Sequence, residues 1–136
     1  MRTGSDAEGK RCILLVEDEP LVAMMMNGFL DQLDCRVVGP CNTPFEALAF
    51  LKENAVDAAI LDINLGGETV YPVADALARL SVPFVFVTGY GGESVDSRFS
   101  QVKRLEKPVG FENLRSVVRE LCEAAATDSE PINLRA

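Results

Sequence analysis

Six side chains in this 136-residue sequence have types and spacings suited to chemistry: Glu17, Asp18 and Glu19 in one run, then Asp62, Thr88 and Lys107. Each follows a short apolar run, which places them together if those runs lie side by side. Two like charges about 4 Å apart repel by roughly 4 kcal/mol at an effective dielectric near 20. Clustered carboxylates therefore raise one another's pKa values unless a cation joins them. A hard divalent ion with oxygen ligands, Mg²⁺ first, suits such a set. Asp62, ionised at neutral pH, is then a carboxylate nucleophile able to take a phosphoryl group as an aspartyl phosphate. Lys107 and the Thr88 hydroxyl would neutralise and position the phosphoryl oxygens, and Gly89 leaves room for them to approach. Singly, each residue has an ordinary alternative. The acidic run can favour a helix start through its dipole, Asp62 and Thr88 can satisfy backbone at strand ends, and Lys107 can be a solvated surface charge. Together, in this order, they point to one site.

Composition narrows the chemistry further. There are 21 acidic residues against 13 basic ones, a net charge of −8, and no histidine. That removes Ser-His-Asp triads, Cys-His pairs, HExxH zinc sites and any phosphohistidine of the chain's own. The acid surplus argues against DNA or other nucleic acid as a partner, since phosphate binding wants clustered Lys and Arg. It is concentrated where the site residues lie: residues 11–97 hold 13 acids and 4 bases, whereas residues 98–123 hold 4 acids and 6 bases. Cys12, Cys35, Cys41 and Cys122 form no CxxC motif and read as buried thiols. With no secretory leader and no membrane-length apolar run, the sequence points to a reducing cytoplasm and no membrane insertion.

The elements that must position these residues alternate. Residues 12–16, 36–39, 58–61, 83–87 and 102–105 read as strands, the first a continuous apolar run as expected of a parallel strand covered on both faces. Between them, Pro20 opens a helix with Leu21, Met25, Phe29 and Leu33 as its apolar stripe, and the Met24–Met26 run reads as core filling. Thr43-Pro44-Phe45-Glu46 matches a capping box opening a helix to about Glu53. Val70, Val73, Ala74, Leu77 and Leu80 mark a third helix; Phe111, Leu114, Val118 and Leu121 a last one. Residues 89–100 are glycine- and serine-rich, with only Val95 and Phe99 as an apolar pair, and predict a short or unstable helix. Such alternation implies right-handed crossovers and an open α/β sheet with helices on both faces, which binds ligands at the carboxyl ends of its strands. Residues 1–10 read as a flexible leader, 11–123 as one domain, and 124–136 as a frayed or extended tail.

Over residues 11–123 the sequence resembles the receiver domain of two-component response regulators. The likeness rests on Ile13-Leu14-Leu15-Val16-Glu17-Asp18-Glu19-Pro20, Ile60-Leu61-Asp62, Val87-Thr88-Gly89 and Glu106-Lys107-Pro108. It implies a flavodoxin-like fold with strand order 2-1-3-4-5. It makes Asp62 the phosphoacceptor, Asp18 a direct Mg²⁺ ligand, Glu17 a more distant one, and the Asn64 backbone carbonyl a further ligand, with a cis Lys107-Pro108 bond. Residues 83–90 also look like the "FAT GUY" subgroup, whose members are often stand-alone receivers served by HWE-type histidine kinases. Two positions depart from the family. Arg104 stands where most receivers carry the Tyr or Phe of a Thr–aromatic switch, with Tyr90 as the nearest substitute. Gly66 replaces a common Pro and should loosen the loop after Asp62.

The expected function is a phosphoaspartate switch rather than an enzyme, reading out by protein contact through the face from residue 89 to the final helix. Too few residues follow residue 123 for an output module. A phosphate sink or relay intermediate, served by a separate histidine phosphotransfer protein, shares the chemistry. A Mg²⁺-dependent aspartyl phosphatase is a more remote reading, because Asn64 stands where its general acid should be. A flavin carrier would want a phosphate loop where Glu17-Asp18-Glu19 stands.

Overall fold

The computed structural model describes residues 9–89 and 94–128, the side chains of the last three aside. Its strands and helices, in order, are β1 (Arg11–Val16), α1 (Pro20–Gln32), β2 (Cys35–Cys41), α2 (Pro44–Glu53), β3 (Ala58–Asp62), β4 (Asn64–Leu65), β5 (Glu68–Thr69), α3 (Tyr71–Arg79), β6 (Phe84–Thr88), β7 (Arg104–Glu106) and α4 (Phe111–Asp128). Five of the strands form one sheet in the order β2-β1-β3-β6-β7, and every pairing in it is parallel. This is the flavodoxin-like receiver fold expected from the sequence.

The continuous apolar runs serve two cores at once, because successive side chains on a strand point to opposite faces. Leu14 and Val16 of β1, Ala59 and Leu61 of β3, and Phe86 of β6 pack with Ala47 of α2 and Val73, Ala74 and Leu77 of α3. Their neighbours Ile13, Leu15, Ala58, Ile60, Val85 and Val87 pack on the other side with Ala23, Met26 and Leu30 of α1 and Leu114, Val118 and Leu121 of α4. The strands are thereby fixed along their lengths, and only their ends are open to polar groups.

Several boundaries differ from expectation for identifiable reasons. On α1 the buried stripe is Ala23, Met26 and Leu30, while Leu21 is 77% and Met24 66% exposed. A strict four-residue spacing walks about 40° round a helix at each step, so the series from Leu21 to Leu33 cannot share one face. On α3 the stripe ends at Leu77, since Leu80 caps the helix and faces solvent. The final helix continues to Asp128, past the expected tail boundary at residue 124. Ala124, Ala125 and Ala126 are strong helix formers, and Ala125 is fully buried. The Thr43 cap forms as expected, its Oγ1 accepting the Glu46 N–H at 3.1 Å. The Glu46 carboxylate, however, reaches one residue further back and accepts the Asn42 N–H at 2.7 Å.

Gly66, expected to loosen the loop after Asp62, sits in a defined turn. Gly66 and Gly67 both take positive φ, 62° and 97°, and close a tight two-residue hairpin between β4 and β5, the geometry that favours glycine at both central positions. The weak segment after Gly89 forms only a single 3-10 turn, Ser97–Phe99, among its described residues. The expectation for Tyr90 falls outside the described residues. Both Lys107-Pro108, as expected, and Gly39-Pro40 are cis.

Two glycines give opposite predictions. A Cβ on Gly39, at φ +110°, would lie 2.5 Å from the Leu15 carbonyl oxygen and 2.8 Å from the Cys41 nitrogen. Gly39→Ala should therefore cost at least ~2 kcal/mol. Gly28, exposed on α1 with open space around it, should gain roughly 0.5–1 kcal/mol as Gly28→Ala. Urea denaturation of the two variants beside the parent protein checks both signs.

Candidate functional site

The strand order reverses direction at β1 and β3, and a crevice opens outside their carboxyl ends. Glu17 and Asp18 follow β1, Asp62 ends β3, Thr88 ends β6, and Lys107 follows β7. The Lys107 N–H donates to the Thr88 carbonyl at 3.0 Å, which joins the last two strand ends. The crevice, about 310 Å³, is lined by Asp18, Glu19, Asp62, Asn64, Gly66, Gly67, Gly89 and Lys107. The chain thus brings together residues up to 90 positions apart.

Lys107 is the centre of the arrangement. Its ammonium donates to Asp62 Oδ2 at 3.1 Å, to Glu17 Oε2 at 3.2 Å, and to Glu19 Oε1. Glu17, Asp62, Thr88 and Lys107 are all buried. Asp62 is also held from the other side: its Oδ1 accepts the Asn64 N–H at 3.2 Å. The Asn64 side chain is engaged in the hairpin, where its Oδ1 accepts the Gly67 N–H at 3.0 Å. The glycine-closed turn therefore supports the loop that orients Asp62.

The electrostatics follow from this crowding. Burial, then the neighbouring Asp62 carboxylate, pushes the Glu17 pKa from its ordinary 4.5 to about 7. Burial also raises Asp62, although hydrogen bonds with Glu17 and Lys107 work against it. Burial disfavours charge on Lys107, but its hydrogen bonds to Glu19 and Asp62 prevail and raise its pKa. One ammonium thus faces more negative charge than it can neutralise.

A cation fits the remaining charge. One oxygen from each of Glu17, Asp18 and Asp62 lies within 4.8 Å of the others. Glu17 Oε1 is buried without a hydrogen-bond partner, and such an orphaned acceptor is costly unless something binds it. Three hard carboxylate donors match Mg²⁺ better than a soft transition metal.

Most of the residues singled out from sequence meet here: Glu17, Asp18, Asp62, Asn64, Thr88, Gly89 and Lys107. Arg104 does not; it is exposed on the edge strand β7, two strands from Asp62. Sequence reasoning underrated Glu19. Besides contacting Lys107, it donates its N–H to Glu17 Oε2 at 3.1 Å. The signal was its place in the same acidic run.

Comparison with known proteins agrees with the geometry. A family model described as "Response regulator receiver domain" matches residues 13–119. The phyllosphere-induced regulator PhyR of Methylorubrum extorquens is 37% identical over 81 residues, which are 57% of this chain and 30% of that protein. The chain therefore spans about a third of the length of that curated relative. The solution structure of SdrG from Sphingomonas melonis Fr1 is 47% identical, covering 86% of this chain and 97% of that one, with a TM-score of 0.73. SdrG in its BeF3-activated conformation, recorded from Pseudomonas melonis Fr1, is also 47% identical, covering 82% and 95%, with a TM-score of 0.70.

The raised Glu17 pKa makes a pH prediction. Between pH 4.5 and about 7 the folded protein holds a proton that the unfolded chain has lost, so stability falls as pH rises through that window. Without divalent cations, the loss should be roughly 2 kcal/mol. Mg²⁺ should diminish it by holding the ionised form, and Glu17→Gln should flatten it. Chemical denaturation at pH 5 and pH 8, with Mg²⁺ or a chelator, measures all three.

Proposed function

The chain belongs to the response regulator receiver domain family, and we propose that it works as a phosphoaspartate switch with Asp62 as the acceptor. The observation that carries this reading is the position of Lys107, whose ammonium bridges Asp62 and Glu17 inside a cluster with an orphaned carboxylate oxygen. The family is a regulatory one, so the chemistry assigned here is the chain's own phosphorylation and dephosphorylation.

Asp62 is prepared to act as a nucleophile. The Asn64 N–H holds one carboxylate oxygen and Lys107 the other, which fixes the plane of the group before a donor arrives. These 136 residues hold no histidine, so the phosphoryl group comes from a histidine outside them, that of a histidine kinase or histidine phosphotransfer protein. In the transfer the donor's P–N bond breaks as a P–O bond to Asp62 forms. Mg²⁺, held by Asp18, Asp62, Glu17 and the Asn64 carbonyl, would neutralise charge on the phosphoryl oxygens. Lys107 shifts from the carboxylates to a phosphoryl oxygen, and the buried Thr88 hydroxyl supplies a further donor. Exposed Leu21 and Met24 on α1, just beyond Glu19, offer the donor an apolar foothold beside the crevice.

The signal leaves through the strand ends. Drawing Thr88 and Lys107 towards a new anion pulls on the segment after β6 and on the approach to α4. Among its described residues, that segment is held to α3 by a hydrogen bond, an ion pair and a ring stack. The Asp96 N–H donates to the Tyr71 hydroxyl at 2.9 Å, Arg98 pairs with Asp75 at 2.7 Å, and Phe99 stacks on Tyr71 with centroids 5.4 Å apart. Tyr71 also meets Phe86 edge-on at 6.0 Å. With Arg104 exposed, this buried ring cluster takes the place of an aromatic switch on β7. A partner protein then reads the face formed by residues 94–99, β7 and α4.

Incubation with acetyl phosphate and Mg²⁺ tests the assignment by intact-protein mass. The parent protein should gain one phosphoryl group, Asp62→Asn none, and Lys107→Ala should react ~100-fold more slowly. Labelling that survives Asp62→Asn, or that is indifferent to chelation of Mg²⁺, would overturn it.

A further inference from the structure

The four cysteines divide two and two across the sheet. Cys12 and Cys41 lie in the core beneath α2 and α3. Cys12 is paired in register with Arg36, and Cys41 with Val16. Four residues of strand separate Cys12 from the level of Cys41, roughly 13 Å, which no disulfide spans. Cys35 and Cys122 share the other core, under α1 and α4. Both line one cavity of about 420 Å³ together with Lys10, Arg11, Asp34, Arg115 and Arg119, where each thiol perturbs the titration of the other. That cavity is at the amino-terminal ends of β1 and β2, the opposite end of the sheet from Asp62.

We propose that Cys35 and Cys122 form a peroxide-responsive dithiol that closes to a disulfide tying α4 to the start of β2. The two cysteines have the unequal surroundings such a pair needs. Cys122 is partly exposed to the basic cavity, whereas Cys35 is 6% exposed and also donates to the Leu33 carbonyl at 3.8 Å. The neighbouring Cys35 thiol lowers the Cys122 pKa; burial opposes this, and the positive charge of Arg11 adds to it against Asp57 and Glu123. The same neighbour, with burial, keeps Cys35 protonated. Cys122 is thus the attacking sulfur and Cys35 the resolving one.

The steps balance with hydrogen peroxide as the oxidant. The Cys122 thiolate attacks one peroxide oxygen; an S–O bond forms, the O–O bond breaks, and hydroxide leaves, taking up the thiol's proton as water. Cys35 then attacks the sulfenic sulfur; the S–S bond forms, the S–O bond breaks, and a second water leaves with the Cys35 proton. Both sulfurs are oxidised and both peroxide oxygens reduced. The covalent tie would restrain α4, one wall of the proposed signalling face, without touching the acidic crevice.

The test treats the intact protein with hydrogen peroxide, blocks remaining thiols with N-ethylmaleimide in denaturant, and reads intact mass and tryptic peptides. The blocked thiols should fall from four to two, with a linked pair of peptides covering residues 12–36 and 120–135, reversed by dithiothreitol. Cys12→Ser should keep that link, which assigns it to Cys35 rather than Cys12 on the shared peptide. In Cys35→Ser, dimedone should trap a sulfenic acid on Cys122. Four blocked thiols after peroxide, a covalent dimer on a non-reducing gel, or a link that survives Cys35→Ser would each overturn the proposal. The result on the parent protein stands without any variant.

Discussion

A single buried ammonium holds the functional end of this molecule together. Lys107 reaches Asp62 across 45 residues and Glu17 across 90. Removing a carboxylate from water is expensive, and two of them in contact are more so. Lys107 offsets part of that cost, yet it is outnumbered by Glu17, Asp18, Glu19 and Asp62. The result is a site poised for more positive charge, and one whose ammonium is available to an arriving anion once a metal joins the carboxylates. Burial thus makes the site reactive as well as costly.

The fold confines this tension to one edge of the sheet. Along residues 12–16 of β1, 58–61 of β3 and 84–87 of β6 every position is committed to one of two apolar cores, so polar side chains are confined to the strand ends. Parallel strands bring all those ends to the same side, and Glu17, Asp62, Thr88 and Lys107 gather at that edge without any of them crossing the core. The thiol pair at the other end of β2 and α4 occupies the equivalent boundary at the amino-terminal edge. Phosphoryl chemistry and thiol chemistry are therefore separated by the length of the sheet, and meet only through the elements that both ends anchor, α4 above all.

Sequence legibility tracked how locally each feature is determined. The strand runs were readable because a strand covered on both faces has to be apolar throughout, and the site residues were readable because each stands next to such a run. The Thr43 cap was likewise local. Facing on α1 was not, because which side of a helix meets the sheet depends on the β1–α1 connection and on a period of 3.6 rather than four. Glycine was read correctly in one place and not in the other. Gly66 and Gly67 build a tight hairpin that holds Asn64 rather than an open loop, whereas the weak segment after Gly89 forms, as expected, one short turn among its described residues, held from outside by Tyr71 and Arg98. Neither contact has a signature in the local sequence. The pairing of Cys35 with Cys122 is equally non-local, since spacing alone shows two unremarkable thiols.

On the proposed function, Asp62, Thr88 and Lys107 respond together to a phosphoryl group held with Mg²⁺. Two-dimensional NMR during titration with Mg²⁺ and then beryllofluoride, which mimics an acyl phosphate, addresses it directly. Mg²⁺ should shift the amide signals around Asp18 and Asp62. Beryllofluoride should then shift Thr88 and Lys107, and with them residues 94–99, all of it absent in Asp62→Asn. Shifts confined to regions away from these residues, or unchanged in Asp62→Asn, would contradict it.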